Sequence, residues 1–249
     1  MNKNQPLISC ICITRNRPNL LERAITIFNL QSYVNKELVI IYREDDFQTA
    51  SLLEGICSAN LLLIEVPKYQ SLTLGQLRNL GIKQCKGELI CCWDDDDWYH
   101  FRRLEVQFAV MRASKSKGCI LSKILITDIQ EKQAYYSHER LWEGSLMCYR
   151  SVFIEHSYAD LKKGEDFELI MNLRSKNLLY VINTVPNLYV YNFHGANAWK
   201  IDHFKFFFML GEPLSKETSV KIVDLMNSNE VKQVDSITIG LLIDNQVFQ

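Results

Sequence analysis

Short, almost wholly apolar segments alternate along this chain with segments whose apolar residues recur at helical spacing. The apolar segments are 7–14, 37–42, 61–66 and 88–93, and the helical patterns open at Pro18 and at Leu74. Strands that are apolar throughout need cover on both faces, as in sheets of parallel strands packed between helices. The alternation therefore predicts an α/β fold with a mostly parallel central sheet flanked by helices.

The pattern becomes less regular after Trp98. It predicts a helix to about Ser116 and a further helix over 165–176. Strands are expected at 119–126, 179–185 and 188–192, with a loop around 142–145.

Length and composition indicate one ordinary globular domain with a short extension. The chain has 249 residues, of which 47% are hydrophobic and 23% charged, and its net charge of −1 gives no indication of a nucleic-acid partner. Its eight cysteines form no Cys-x-x-Cys pair, which favours buried thiols in a reducing cytoplasm. No stretch approaches the run of about 20 apolar residues that spans a bilayer, so we expect a cytoplasmic protein.

The sharpest local feature is the segment 93–98, Trp-Asp-Asp-Asp-Asp-Trp, which directly follows the apolar strand 88–93. Four consecutive acids are usually a solvated loop, but these stand where a central strand ends, and open α/β sheets bind ligands at that edge. Like charges crowded there call for a compensating cation. A hard ion such as Mg²⁺ or Mn²⁺, held by one or two carboxylates and substrate phosphates, would meet that need.

Four segments in order resemble family 2 glycosyltransferases of the GT-A fold. They are Ile-Cys-Ile-Thr-Arg-Asn-Arg-Pro at 11–18, the stretch from Gly75-Gln-Leu-Arg-Asn to the four acids, Gly-Glu-Asp at 164–166, and Tyr-Asn-Phe-His-Gly-Ala-Asn at 191–197. The resemblance covers about residues 7–200 and is specific as a set, although each motif alone is weak. It implies a GT-A (Rossmann-like nucleotide-diphospho-sugar transferase) fold over 1–200, with a nucleotide-binding half at about 1–98, an acceptor half at about 99–200, and a helical appendage at 201–249.

The resemblance also implies the donor site. Its expected members are Thr14, Arg15, Asp45, Arg78, Asp94 and Asp95. Asp96 and Asp94 are the expected ligands of Mn²⁺ or Mg²⁺, although four acids in a row leave the register open by one residue. His194 either completes the metal site or is an ordinary polar residue of a glycine-containing turn.

Catalysis and acceptor binding are expected in the second half of the chain. Asp166, with Glu165 beside it, resembles the family's general base, and the competing interpretation is an acid favoured at a helix N-terminus. Trp142, Gly144 and Ser145 stand where the family places part of the acceptor pocket, although core packing would also explain the tryptophan. The resemblance further implies a single displacement with inversion at the anomeric carbon.

One segment departs from the family pattern. Family members follow the second strand with Val-Asp-Asp-Gly-Ser, whose first acid contacts the nucleobase, whereas this chain has Tyr-Arg-Glu-Asp-Asp-Phe at 42–47. Either Asp45 or Asp46 reaches the base through a longer turn, or Tyr42 and Arg43 act there instead. Uridine is therefore only the default nucleoside.

These observations predict a glycosyltransferase that moves a sugar from a nucleotide-diphosphate donor, by default a UDP-sugar, to a glycan or glycolipid acceptor in surface polysaccharide or lipooligosaccharide synthesis. A nucleotidyltransferase would also use acids and a metal, but the turn at 14–18 lacks the expected glycines. A non-catalytic sugar-nucleotide-binding relative is the third interpretation. The aromatic and basic stretch 199–208 fits either a membrane-surface patch, and hence peripheral attachment, or a packed helix.

Overall fold

The computed structural model describes residues 5–56 and 58–227. Its helices are α1 Pro18–Asn29, α2 Phe47–Glu54, α3 Leu74–Gln84, α4 Arg103–Ser114, α5 Arg150–Glu155, α6 Phe167–Ser175, α7 Ile201–Leu210 and α8 Lys216–Asn227. Its strands are β1 Ile8–Ile13, β2 Lys36–Arg43, β3 Leu61–Val66, β4 Leu89–Cys92, β5 Trp98–Tyr99, β6 Gly118–Leu121, β7 Leu125–Asp128, β8 Gln133–Tyr136, β9 Trp142–Tyr149, β10 Leu179–Ile182, β11 Tyr189–Phe193 and β12 Glu212–Pro213.

The larger sheet has seven strands in the order β10-β6-β9-β4-β1-β2-β3. β1 pairs in parallel with both β2 and β4, so Ile11 stands opposite Val39 on one side and Cys92 on the other. Within the described part of the chain, β9 is the strand of this sheet that runs against both of its neighbours. The expected mostly parallel sheet is therefore confirmed, and the carboxyl ends of β1, β2 and β4 lie along one edge.

The helices that flank this edge form for local reasons. α1 has Pro18 in its first turn, where no intrahelical N–H bond is lost, and it buries Leu21, Ile25 and Phe28 on one face. α3 begins with a capping box, in which Thr73 accepts a hydrogen bond from the Gln76 backbone and the Gln76 side chain accepts one from the Thr73 backbone.

A second sheet of five strands, in the order β12-β8-β7-β11-β5, lies beside the first. The single strand predicted at 119–126 was wrong, because the chain there divides into β6 in the larger sheet and β7 in the smaller one. The backbone N–H groups at the break bind outside the ladders: Ser122 donates to the Ile182 carbonyl oxygen and Ile124 to the Ser137 hydroxyl. The polar pair Ser122-Lys123 stands at this division, but it is too short a signal to show that the two apolar runs belong to different sheets.

The loop predicted at 142–145 was also wrong, because these residues begin β9. Gly144 stands in this strand because a side chain would not fit there. A Cβ at that position would lie 2.5 Å from the Tyr189 hydroxyl oxygen. The glycine therefore marks a close approach to β11 and not a turn.

The structure describes seven of the eight cysteines and the first part of the predicted appendage. The seven described cysteines are free and buried, as expected, and Cys57 lies outside the described residues. Within 201–227, α7 packs Phe204 and Phe207 into the core, and β12 extends the smaller sheet by pairing with β8. Residues 228–249 of the predicted appendage lie outside the described residues. None of the described helices is long and apolar enough to cross a bilayer.

The packing of α3 against the segment before α6 yields a stability prediction. A Cβ on Gly75 would lie 1.8 Å from the carbonyl oxygen of Ala159, a backbone atom that cannot simply rotate away. We expect Gly75→Ala to lower the free energy of unfolding by about 1–3 kcal/mol, the usual cost of forced overpacking. Urea unfolding followed by circular dichroism measures it.

Gly55→Ala is the matched control, because its nearest atom would lie at an ordinary 3.5 Å. We expect a change within about 0.5 kcal/mol there. Equal changes in the two variants would contradict the close approach at Gly75.

Candidate active site

A cavity of about 420 Å³ opens at the carboxyl ends of β1 and β4. Its size lies within the range of about 300–1,000 Å³ that is usual for small-molecule sites, at the sheet edge where α/β folds bind ligands. It brings together most of the residues predicted from the sequence: Thr14, Arg15, Arg78, Asp94, Asp95, Asp96, Trp142, Gly144, Glu165 and Asp166.

The four acids divide into two that are buried and two that remain partly accessible. Asp95 and Asp97 are 0% and 1% exposed, whereas the side chains of Asp94 and Asp96 are 30% and 14% exposed. Asp97 accepts hydrogen bonds from the Tyr189 hydroxyl at 2.5 Å and the Asn192 backbone at 3.0 Å. Asp97 therefore fastens the loop of four acids at 94–97, called the acid loop below, to β11.

Asp95 fastens the same loop to β1. Its Oδ2 accepts a hydrogen bond from the Thr14 hydroxyl at 2.7 Å, and its Oδ1 lies 2.7 Å from Nη2 of Arg17. Burial, and next the charge of Asp96, raise the pKa of Asp95 to about 7. The carboxyl group thus holds its proton at a pH where an exposed aspartate would be ionised.

Asp96 is the acid on which nearby donors converge. Its Oδ2 accepts a hydrogen bond from Nη1 of Arg17 at 2.9 Å and lies 3.4 Å from Nε2 of His194. Burial raises the pKa of Asp96, but the hydrogen bond to His194 and the charge of Arg17 outweigh it and lower the pKa below its ordinary value. Asp96 is therefore a carboxylate in this site.

A divalent cation fits this corner with a small set of protein ligands. Asp96 and His194 offer an oxygen and a nitrogen side by side, both suited to Mn²⁺. Asp94 is directed elsewhere, because its Oδ1 lies 3.1 Å from Nη2 of Arg78. No set of three or more His, Cys, Asp or Glu side chains within 5–56 and 58–227 is arranged to hold a metal unaided. The remaining ligands would be substrate phosphate oxygens, as is usual for such ions.

Arg78 joins the acid loop to the segment before α6. Its Nη2 binds Asp94, and its Nε donates to Oε1 of Glu165 at 2.9 Å. Arg78 is 7% exposed, and its Nη1 has no hydrogen-bond partner among the described residues. Glu165, predicted as a catalytic partner, is 2% exposed, and its carboxylate is paired with Arg78.

Asp166 lies in the cavity wall next to this pair. Burial, then the charges of Glu165 and Glu143, raise its pKa to about 6. Its side chain makes no capping hydrogen bond to α6, although it occupies the N-cap position. Asp166 therefore does not cap α6 through a hydrogen bond, although its place at the helix N-terminus suits the helix dipole. Gly164, with φ of +69°, makes the turn that presents it.

The predicted acceptor residues divide. Trp142 lines the cavity, with the guanidinium of Arg140 over its ring at 4.9 Å, and Gly144 lies beside it. Ser145 was wrongly predicted as an acceptor residue, because it is 0% exposed and faces the core. Its hydroxyl donates to the Trp142 carbonyl oxygen and accepts from the Leu121 backbone, so it fixes β9 against β6.

The structure does not bring Asp45 into the cavity wall. Its carboxylate pairs with Nε of Arg43 at 2.9 Å and is 41% exposed. The neighbouring Asp46 is 1% exposed and accepts hydrogen bonds from the backbones of Asn16 and Thr49. The first aspartate after β2 is thus on the surface, and the second supports the turn after β1.

Sequence reasoning missed several cavity residues. Arg17 lies in the motif at 11–18, which was a usable signal, but its contact with the acids was not foreseeable from spacing. Arg140, Lys163 and Trp199 also line the cavity, and they lie outside the quoted motifs. Only the fold brings them to the site.

The sequence matches the profile "Glycosyl transferase family 2" over residues 9–169. An uncharacterized glycosyltransferase of Rickettsia conorii is 28% identical over 194 residues, which cover 70% of this chain and 31% of the relative. One from Rickettsia felis is 27% identical over 190 residues, covering 68% and 30%. The chain therefore spans about a third of the length of these curated relatives.

Solved structures resemble it along nearly its whole length. Residues 1–349 of S. aureus TarS in complex with UDP-GlcNAc superpose with a TM-score of 0.62 at 15% identity, covering 97% of this chain and 72% of that one. The Pyrobaculum calidifontis mannosyltransferase PcManGT, in complex with GDP-Man and Mn²⁺, gives 0.61 at 12% identity, covering 98% and 75%. The likeness confirms the expected GT-A fold. Because the family profile spans most of the chain, the protein belongs to glycosyl transferase family 2.

Proposed function

We propose that this chain transfers a sugar from a nucleotide-diphosphate donor to an acceptor hydroxyl, with inversion and with the help of a divalent cation. The observation that carries the proposal is that Asp96 with His194 and the carboxyl of Asp166 belong to one site, whose cavity both acids line. One end of that site suits a metal-bound diphosphate, and the other suits proton removal from an attacking hydroxyl.

The donor end is supported by its charges. Thr14, Arg15 and Arg17 come from the turn after β1, and Arg78 faces them from α3. Asp96 and His194 would hold the cation, which when bound stabilises the charge of the departing nucleoside diphosphate. UDP-GlcNAc and GDP-Man bound to the two structural relatives support a nucleotide sugar as donor. We retain UDP as the default nucleotide, with Mn²⁺ or Mg²⁺ as the ion.

Asp166 is the proposed general base. Its carboxylate would accept the proton of the acceptor hydroxyl as that oxygen attacks the anomeric carbon from the side opposite the leaving phosphate. A pKa of about 6 suits this task near neutral pH, because most of the Asp166 carboxyl groups are then ionised and the carboxylate is still basic enough to take a proton. Arg78 positions the neighbouring Glu165, which keeps the segment before α6 close to the donor end.

The acceptor end is supported by an aromatic and cationic wall. The ring of Trp142 contacts those of Tyr191 and Phe207, and the three rings offer flat surfaces on which a sugar ring can lie. We propose a glycan or glycolipid acceptor and a place in surface polysaccharide or lipooligosaccharide synthesis in the cytoplasm.

Donor binding is tested by the thermal stability of the protein with nucleotide diphosphates and their sugars, with and without Mn²⁺. A ligand at about a hundredfold its dissociation constant adds about 2.7 kcal/mol, which raises the midpoint by about 5–10 °C for a chain of this size. We expect that shift for one nucleotide in the presence of Mn²⁺, and its loss in Asp96→Ala.

Glu54→Ala is the matched control, because it removes an exposed acid at the end of α2 that lies outside the cavity wall. We expect it to keep the full shift. A shift that Asp96→Ala retains, or that no nucleotide produces in folded protein, would contradict the proposed donor site.

The base is tested by the pH dependence of transfer at saturating donor. Because burial holds the pKa of Asp166 at about 6, the reactive carboxylate is present above that pH and is lost as the pH falls through it. We expect the rate to fall about tenfold per pH unit below about pH 6. Asp166→Asn should keep the donor-induced thermal shift and lose about 10²–10⁴-fold in rate.

Glu168→Gln supplies the comparison, since it removes an exposed acid from the first turn of the same helix. Its rate and its pH profile should match those of the unmodified protein. An active Asp166→Asn variant would eliminate Asp166 as the base.

A further inference from the structure

Arg17 lies on the same carboxylate oxygens that a metal ion would use. Its Nη1 donates to Oδ2 of Asp96 at 2.9 Å, and its Nη2 lies 2.7 Å from Oδ1 of Asp95. The two acids are consecutive, so one guanidinium spans both with its planar fork. In this arrangement the negative charge of the acid loop is compensated by the chain itself.

The turn after β1 holds Arg17 in this position. Asn16 has φ of +51°, in the left-handed region that asparagine tolerates better than most residues other than glycine. Its backbone N–H donates to Oδ2 of the buried Asp46 at 2.6 Å. Pro18 follows in the first turn of α1 and restricts Arg17 itself. The conformation of the turn therefore directs the Arg17 guanidinium towards Asp95 and Asp96.

A cation bound by Asp96 and His194 would stand next to this guanidinium. Oδ2 of Asp96 can bind either the divalent ion or the Arg17 guanidinium. If both were bound, two positive groups would repel each other in a site that is only partly open to solvent. A divalent ion alone offers Arg17 no new partner. A donor diphosphate offers two things: oxygens that complete the coordination of the ion, and phosphate groups that match the fork of an arginine.

We propose that Arg17 occupies the acid loop until a donor diphosphate arrives, and that it then transfers from Asp95 and Asp96 to the phosphates. This inference rests on the proposed donor site and adds a positioning residue to it. Its consequence is that the cation binds together with the nucleotide and hardly at all without it. By linkage, each of the two ligands strengthens the binding of the other by the same factor.

Arg17→Gln separates the two states. The free Mn²⁺ signal in electron paramagnetic resonance gives the affinity of the folded protein for Mn²⁺ alone and with UDP or GDP, whichever raises thermal stability. We expect Arg17→Gln to bind Mn²⁺ alone about tenfold more tightly than the unmodified protein, and the nucleotide to strengthen Mn²⁺ binding less in the variant. Adding Asp96→Asn should abolish the gained affinity, which places the ion at that carboxylate.

Arg43→Gln is the matched control, because this arginine ends the neighbouring strand and pairs with the exposed Asp45. It should bind Mn²⁺ alone as the unmodified protein does. If Arg17→Gln does not fold, Arg17→Lys keeps the charge but loses the fork, and a smaller gain is expected. Equal affinities for Mn²⁺ alone in the unmodified protein and in a folded Arg17 variant overturn the proposal.

The proposed function fails by a different result. If no nucleoside diphosphate binds the unmodified protein with Mn²⁺, the donor site is wrong. The comparison of Mn²⁺ affinities between the Arg17 variants still decides whether this arginine competes with the ion.

Discussion

The site depends on one buried ion-pair chain, in which Arg78 holds Asp94 on one side and Glu165 on the other. A guanidinium this deeply buried is tolerated only because both carboxylates compensate it, and removal of either would leave a charge unpaired in the interior. The next residue of the helix, Asn79, exchanges two hydrogen bonds with the backbone of Tyr158. Two consecutive residues of α3 therefore fix the segment before α6 against the acid loop, although 71 residues separate Asp94 from Glu165 in the chain.

The acid loop shows how four like charges can stand side by side. Alternate members have different roles: Asp95 and Asp97 are buried and fasten the loop to β1 and β11, while the side chains of Asp94 and Asp96 are partly exposed. The buried pair has raised pKa values, because burial and the neighbouring charges disfavour ionisation. The two accessible acids are each paired with an arginine, Asp94 with Arg78 and Asp96 with Arg17.

The sequence carried the parts of the fold that are local. Continuous apolar strands and helical spacing predicted β1 to β4, α1 and α3, and most of the site residues expected from the motifs line the cavity. The sequence does not predict where a side chain points when that direction depends on residues distant in the chain. In the sequence, Ser145 is a polar residue close to Trp142, which suggested a sugar-binding position. In the structure its hydroxyl accepts a hydrogen bond from the Leu121 backbone and so joins β9 to β6. The break between β6 and β7 was hidden for the same reason, since it depends on partners 13 and 60 residues away.

The segment 42–47, which departs from the family pattern, is hydrogen-bonded to the turn after β1. Asp46, displaced from the usual position, receives the backbone N–H of Asn16 and thereby stabilises the left-handed residue that directs Arg17 at the acids. This acid thus supports the turn after β1 that carries Arg17. Both carboxylate oxygens of Asp46 are committed to Asn16 and Thr49, so this acid has a structural part in the turn.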